Sequence, residues 1–187
     1  MSMRSSGIHI AKDLLFVALV GSLKTYGSSE LGTIMSDSFR VRFEKPVGGG
    51  LPITLTTNDH TLFFTVSHTP YDSLSDLITA LIGIVLADTI HCSVRWNTEP
   101  VEYEFLFVTD TGTTTLTIIE WPDSTRQRDN SHAVFLLHGS RMEIVAPVWR
   151  ALRQLESHGS ETWEWQHLFP TSDMRKLDQH IRRVKQT

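Results

Sequence analysis

Apolar positions at helical spacing run straight into two alternating runs between residues 72 and 107, and the rest of the pattern is organised around that stretch. Leu74, Leu77, Ile78, Leu81, Ile82, Val85 and Leu86 recur three and four apart, which predicts a helix over residues 73–87. Asp72 and Ser73 offer short oxygen-bearing side chains to the first turn, and Asp76 adds negative charge near the positive end of the helix dipole. The other face, Ser75, Thr79, Ala80 and Gly83, is small rather than charged, so protein is expected on more than one side of this helix.

The following residues set a strand register. Cys92, Val94 and Trp96 alternate with His91, Ser93 and Arg95, and Val101, Tyr103, Phe105 and Phe107 alternate with Glu102, Glu104, Leu106 and Val108. With residues 98–101 as the connection, Asn97 faces Glu102, Arg95 faces Glu104, and Trp96, Val94 and Cys92 face Tyr103, Phe105 and Phe107. That register unites the apolar sets and opposes unlike charges, whereas a slip of one residue scatters both.

Strand patterns continue on either side. Phe39, Val41 and Phe43 alternate with Arg40, Arg42 and Glu44 until Pro46 and Gly48-Gly49-Gly50 end the run. No Lys-Ser or Lys-Thr follows the glycines, so they read as a flexible connection rather than a phosphate loop. Ile53, Leu55 and Thr57 form another strand, Asn58-Asp59-His60 turn it, and Leu62 to Ser67 return. Downstream, a turn at Thr111-Gly112 places Phe107 opposite Leu116 and Phe105 opposite Ile118. Asp123 to Ser131 reads as an exposed polar loop. Ala133 to Leu137 and Arg141 to Val145 read as a hairpin closed by Gly139-Ser140, with Phe135 and Leu137 sharing a face with Met142 and Ile144. Pro147 reads as the first residue of a helix over 147–158, with Val148, Leu152 and Leu155 as its buried stripe and Gly159 as its stop. After Pro170, Ser172 or Asp173 caps a last helix with Met174, Leu177, Ile181 and Val184 on one stripe and Arg175, Lys176, Arg182, Arg183 and Lys185 on the other face. These cations read as a solvated surface near the helix's negative end.

The expected architecture is α+β: a predominantly antiparallel sheet meander of about seven or eight strands, two helices packed on one face, and a C-terminal helix at an edge. Residues 1–30 are expected as an N-terminal extension or short packed helix, 31–160 as the α+β domain, and 161–187 as an aromatic-rich segment with the C-terminal helix. Leu14 to Val20 after Arg4 and Lys12 imitate a secretory signal, but Asp13 and the lack of a small-x-small cleavage site weaken that reading. The run is too short to span a bilayer. A cytoplasmic location is expected, with a secretory signal in residues 1–26 as the alternative.

Composition narrows the function classes. A length of 187 residues with 40% hydrophobic and 20% charged residues supports a real core. A net charge of -4 argues against general nucleic-acid binding, which needs a surplus of Lys and Arg on one surface. The single cysteine excludes an intramolecular disulfide, and Cys92 reads as a plain buried thiol. His132 and His138 share a strand side but lie roughly 20 Å apart, too far to hold one metal, and His91 and Cys92 point to opposite faces. No cofactor and no metal are expected. Glu102 and Glu104, about 7 Å apart on one strand face, match the separation of a glycosidase carboxylate pair. Arg95 beside Glu104 would keep it ionised, so a charge-paired outer sheet face is the preferred reading.

The run Arg95-Trp96-Asn97-Thr98-Glu99-Pro100-Val101-Glu102-Tyr103-Glu104-Phe105 resembles a segment of small uncharacterised bacterial α+β proteins, some of which serve as immunity or accessory partners. The resemblance covers only the central hairpin; it implies bacterial origin and a binding role, and supplies no catalytic residue. The expected function is therefore a non-enzymatic protein-binding module with another protein as partner and neither nucleic acid nor membrane, using Trp121, Trp163 and Trp165 as interface anchors. A small enzyme or ligand-binding protein using Arg95, Glu102, Glu104 and a nearby histidine is the alternative. A homodimer formed through an uncovered strand edge is a further alternative.

Overall fold

The computed structural model describes residues 34–35, 39–86, 90–158 and 164–186. The N-terminal segment and Trp163 lie outside the described residues, so the expectations placed on them have no structural counterpart. The strands are β1 (Ile34–Met35), β2 (Arg40–Phe43), β3 (Gly50–Thr56), β4 (Thr61–Ser67), β5 (Ile90–Asn97), β6 (Glu102–Asp110), β7 (Thr113–Trp121) and β8 (His132–Ser140). Among the described residues three α-helices join them: α1 (Ser73–Leu86), α2 (Arg141–Ser157) and α3 (Thr171–Val184). The sheet order is β1-β8-β7-β6-β5-β4-β3-β2, an antiparallel meander from β2 to β8 with the two-residue β1 parallel to β8. The fold is α+β, as the alternation and helix spacing predict.

The central register is the one that charge and alternation select. Arg95 opposes Glu104, Asn97 opposes Glu102, and Val94 and Trp96 oppose Phe105 and Tyr103. Phe107 opposes Leu116 and Phe105 opposes Ile118. Val94, Trp96, Phe105, Phe107, Leu116 and Ile118 are buried in one continuous core with Leu74, Leu77, Ile78, Leu81 and Ile84 of α1. Leu86 differs from expectation, standing 58% exposed at the end of α1, while Ile84 takes a core position. Gly83 belongs to the small face for a steric reason, because a Cβ there would collide with the side chain of Ile90 on β5.

The sheet is curled. In a flat meander, β2 and β8 would be separated by roughly 29 Å at about 4.8 Å per strand. Instead Phe39, just before β2, lies 6.1 Å from the ring of Phe135 on β8, and His60 of the β3–β4 turn lies 5.8 Å from that same ring. Phe64 of β4 stacks on Tyr103 of β6 at 4.4 Å and meets Phe105 edge-on at 6.1 Å. Between β4 and β5 the ladder is reduced to one pair, Ser67 with Asn97. Those strands overlap only at their ends, which lets the β2–β4 leaf swing over the apolar side of the β5–β8 leaf. α2 touches β2, β7 and β8, and so bridges the opening between the sheet's two ends.

Four expectations are corrected. Arg141 to Val145 are not a returning strand but the first turns of α2, because Ser140 accepts from the Glu143 amide while Glu143 Oε2 accepts from the Ser140 amide at 2.7 Å. That reciprocal capping box starts a helix where the period-two spacing of Met142 and Ile144 suggested a strand. Pro147 is inside α2 rather than first in it, at the cost of one helical hydrogen bond to the Glu143 carbonyl. α3 starts at Thr171 with Pro170 before it, and no side chain caps it. Rather than at a sheet edge, α3 lies along α1 and is tied to α2 by Asp178, which accepts from Trp149 Nε1 at 2.6 Å and pairs with Arg153 at 3.0 Å.

Ser140→Ala is expected to lower stability by about 1 kcal/mol in urea unfolding, since two orphan amides lose their acceptor or its orientation. The same change at exposed Ser93 should cost less than about 0.5 kcal/mol.

Candidate functional site

The outer side of β6 carries Glu102 and Glu104, and their surroundings decide what that carboxylate pair can do. Alternation sends both away from the main core, while Leu106, Ile119 and Trp121 form a small second apolar cluster. Glu102 is nevertheless only 2% exposed. The cover includes Arg126 from the loop after β7. Asp123 Oδ1 accepts from the Thr125 amide at 2.8 Å and from the Thr125 hydroxyl, and these bonds hold the Asp123 carboxyl below its ordinary pKa. The resulting turn places Arg126 in the left-handed region at φ 53°, and its side chain lies back over the sheet.

Arg126 then binds both carboxylates. Its Nε donates to Glu102 Oε2 at 2.8 Å and its Nη1 to Glu104 Oε2 at 3.2 Å. Tyr71 donates to the remaining Glu102 oxygen at 2.8 Å, and Trp121 Nε1 donates to Glu104 Oε2 at 3.1 Å. The Arg126 guanidinium also lies 5.0 Å from the Trp121 ring centre. Its Nη2 is buried and, among the described residues, has no hydrogen-bond partner. The left-handed backbone at Arg126 costs energy, which a charge-assisted bond to each of two shielded carboxylates offsets.

Arg95 plays a different part from the one expected. The register places it opposite Glu104, but the ion pair to Glu104 is made by Arg126. Arg95 is exposed, with its guanidinium 5.9 Å from the Tyr71 ring centre. Loop residue Arg126 escaped sequence reading because alternation says nothing about loops. One signal was present: two carboxylates on one strand face with a single register-matched arginine leave one negative charge over.

Of the tryptophans expected as surface anchors, the two that the structure describes, Trp121 and Trp165, are not on the surface. Trp121 is 9% and Trp165 3% exposed. Trp165 packs edge-on against His68 at 5.9 Å, and the adjacent Glu164 accepts from the Gly48 amide at 2.5 Å. The aromatic segment thus fastens the C-terminal region to the β2–β3 turn. Its indole lies inside because the ring buries far more apolar area than a loop side chain.

Chemically, the carboxylate cluster is a clamp. A general acid or base needs a proton-exchanging oxygen within reach of a substrate. Both Glu102 oxygens are engaged and the side chain is shielded, so it does not meet that need. Among the described residues, no group of three or more His, Cys, Asp or Glu side chains is placed to hold a metal ion. Cys92 is half-buried, and burial pushes its thiol up to about 11. Tyr103, half-buried and hydrogen-bonded to Glu120 at 2.8 Å, is also raised above its ordinary value, chiefly by desolvation. No helix among the described residues is long and apolar enough to cross a membrane.

Compared with family models, with curated proteins and with solved structures, the chain matches none.

Arg126→Ala should destabilise the fold by about 3 kcal/mol, because it leaves two shielded carboxylates without their cation. Adding Glu102→Gln should restore part of that loss, measured by urea unfolding of the single and double variants. Cys92 should react with an aromatic disulfide at pH 8 at least about tenfold more slowly than an ordinary free thiol, and at the ordinary rate once unfolded.

Proposed function

We propose that this protein is a non-enzymatic protein-binding module whose binding surface is the outer face of the β2–β4 leaf. The observation that carries the reading is Phe63, which is 63% exposed in the middle of that face. Large aromatic rings are expensive to leave in water and are the residues that most often anchor interfaces. Register places Phe63 in a row with Thr54 and Arg42, flanked by rows of Thr61, Thr56 and Arg40 on one side and Thr65 with Pro52 on the other. Short hydroxyl side chains around an apolar centre, with arginines at the rim, are suited to a protein surface rather than to a small molecule.

The bonding of Glu102 and Glu104 supports a binding role over a catalytic one, because Arg126, Tyr71 and Trp121 already use that pair. The likeness of residues 95–105 to accessory and immunity proteins fits the same class. Trp121 and Trp165, engaged in internal packing, have no part in the proposed surface.

A photo-crosslinking side chain at position 63, introduced into the full chain in its source cells, should give a discrete protein adduct. The same probe at exposed position 93 on the other leaf should give none. No adduct from position 63, together with substrate turnover that Glu104→Gln abolishes, would replace this reading with the enzymatic one.

A further inference from the structure

The phase of the β3–β4 hairpin determines which β4 groups remain open. The Thr57 amide donates to the His60 carbonyl at 2.8 Å across the turn, so residues 57 and 60 form a hydrogen-bonded pair. Alternation then makes the pairs of Leu55 with Leu62, Ile53 with Phe64 and Leu51 with Val66 the bonded ones. The Glu44 amide, which donates to the Pro52 carbonyl at 3.0 Å, confirms the phase from the other side of β3. Thr61, Phe63 and Thr65 therefore direct their amides and carbonyls away from β3. On that side β5 has ended at Asn97, opposite Ser67, so among the described residues no strand pairs with these groups and they form an open edge.

Such an edge is ordinarily protected by a charge, a proline or a bulge. Residues 61–67, Thr-Leu-Phe-Phe-Thr-Val-Ser, hold neither charge nor proline, and the β3–β4 register runs through them without a shift. Its first five residues, Thr61 to Thr65, are also nearly their own mirror image about Phe63. An antiparallel copy centred on Phe63 sets Phe63 opposite Phe63, Thr61 opposite Thr65, and Leu62 opposite Phe64. The open groups of one copy then meet the open groups of the other, which gives about six backbone hydrogen bonds. The exposed rings become a cross-strand aromatic pair, flanked by threonine pairs of the kind that stabilise sheets.

We infer that β4 pairs antiparallel with β4 of a second copy of this chain about a two-fold axis at Phe63, joining two curled sheets edge to edge. This rests on the reading of the Phe63 face as a protein-binding surface, and it names the occupant. Charge agrees with it: Arg42 lies two strands from the edge in the Phe63 row, so its counterpart in the other copy is roughly 24 Å away at about 4.8 Å per strand. That exceeds the screening length of about 8 Å at physiological salt. The contact is also closed, since a two-fold pairing consumes the open β4 edge of both copies.

Sedimentation equilibrium of the full chain should give the mass of two chains. Phe63→Lys, which sets two ammonium groups face to face on an exposed position, should give the mass of one chain with the same circular dichroism. Phe63→Cys should form an intermolecular disulfide under mild oxidation, and Ser93→Cys should not. This second variant keeps the test open if the lysine chain does not fold. A wild-type chain that is monomeric at every concentration from micromolar upward would overturn the inference, as would a dimer that survives Phe63→Lys and stays unlinked in Phe63→Cys. A monomer whose position 63 crosslinks to a different protein removes self-pairing while keeping the binding surface. A monomer with no adduct removes both.

Discussion

The curled sheet is held by aromatic side chains reaching across its interior where the backbone ladder almost stops. One residue pair, Ser67 with Asn97, joins the β2–β4 leaf to the β5–β8 leaf. The stack of Phe64 on Tyr103 and the approach of Phe39 and His60 to Phe135 do what further ladder bonds would otherwise do. Each such ring pair contributes about 0.5–1.5 kcal/mol beyond its area burial. The larger gain is that the curl puts apolar residues of both leaves in one core with α1 and α2. Among the described residues the same geometry leaves the far part of β4 unpaired on the side away from β3, so the feature that closes the core also opens an edge.

Much of this was legible from residue order, and what was legible was local. The β5–β6 register was readable because the Val94 and Phe105 sets and the pairing of Arg95 with Glu104 selected the same alignment. The α1 stripe was readable from spacing alone. The start of α2 was misread because Met142 and Ile144 alternate like strand residues, although Ser140 and Glu143 already spelled a capping box. Propensity within the segment competed with a terminus signal, and the terminus signal prevailed. The curl was not legible, because it depends on contacts between residues as far apart as Phe39 and Phe135.

At the outer face, sequence order found the carboxylates and missed their partner. Glu102 and Glu104 were placed correctly by alternation, yet their character is set by Arg126, a loop residue turned inward by a left-handed backbone. With that cation in place the pair serves to pin the loop after β7 onto the sheet. The tryptophans illustrate the complementary error: an aromatic residue in an irregular stretch looks exposed until its cover is known, and Trp165 is covered by His68 and the turn that Glu164 holds. Phe63 reverses the case, a strand aromatic left outside, and so carries the proposed binding surface while Trp121 and Trp165 pack inside.

Ring-to-ring nuclear Overhauser effects in the full chain, with Phe and Tyr selectively labelled, test the curl most directly. The account predicts cross-peaks between Phe64 and Tyr103 and between Phe39 and Phe135. Absence of both from a folded chain whose β5–β6 cross-strand peaks are present would contradict it, because a flat meander would hold the β2 and β8 rings far beyond the range of that effect.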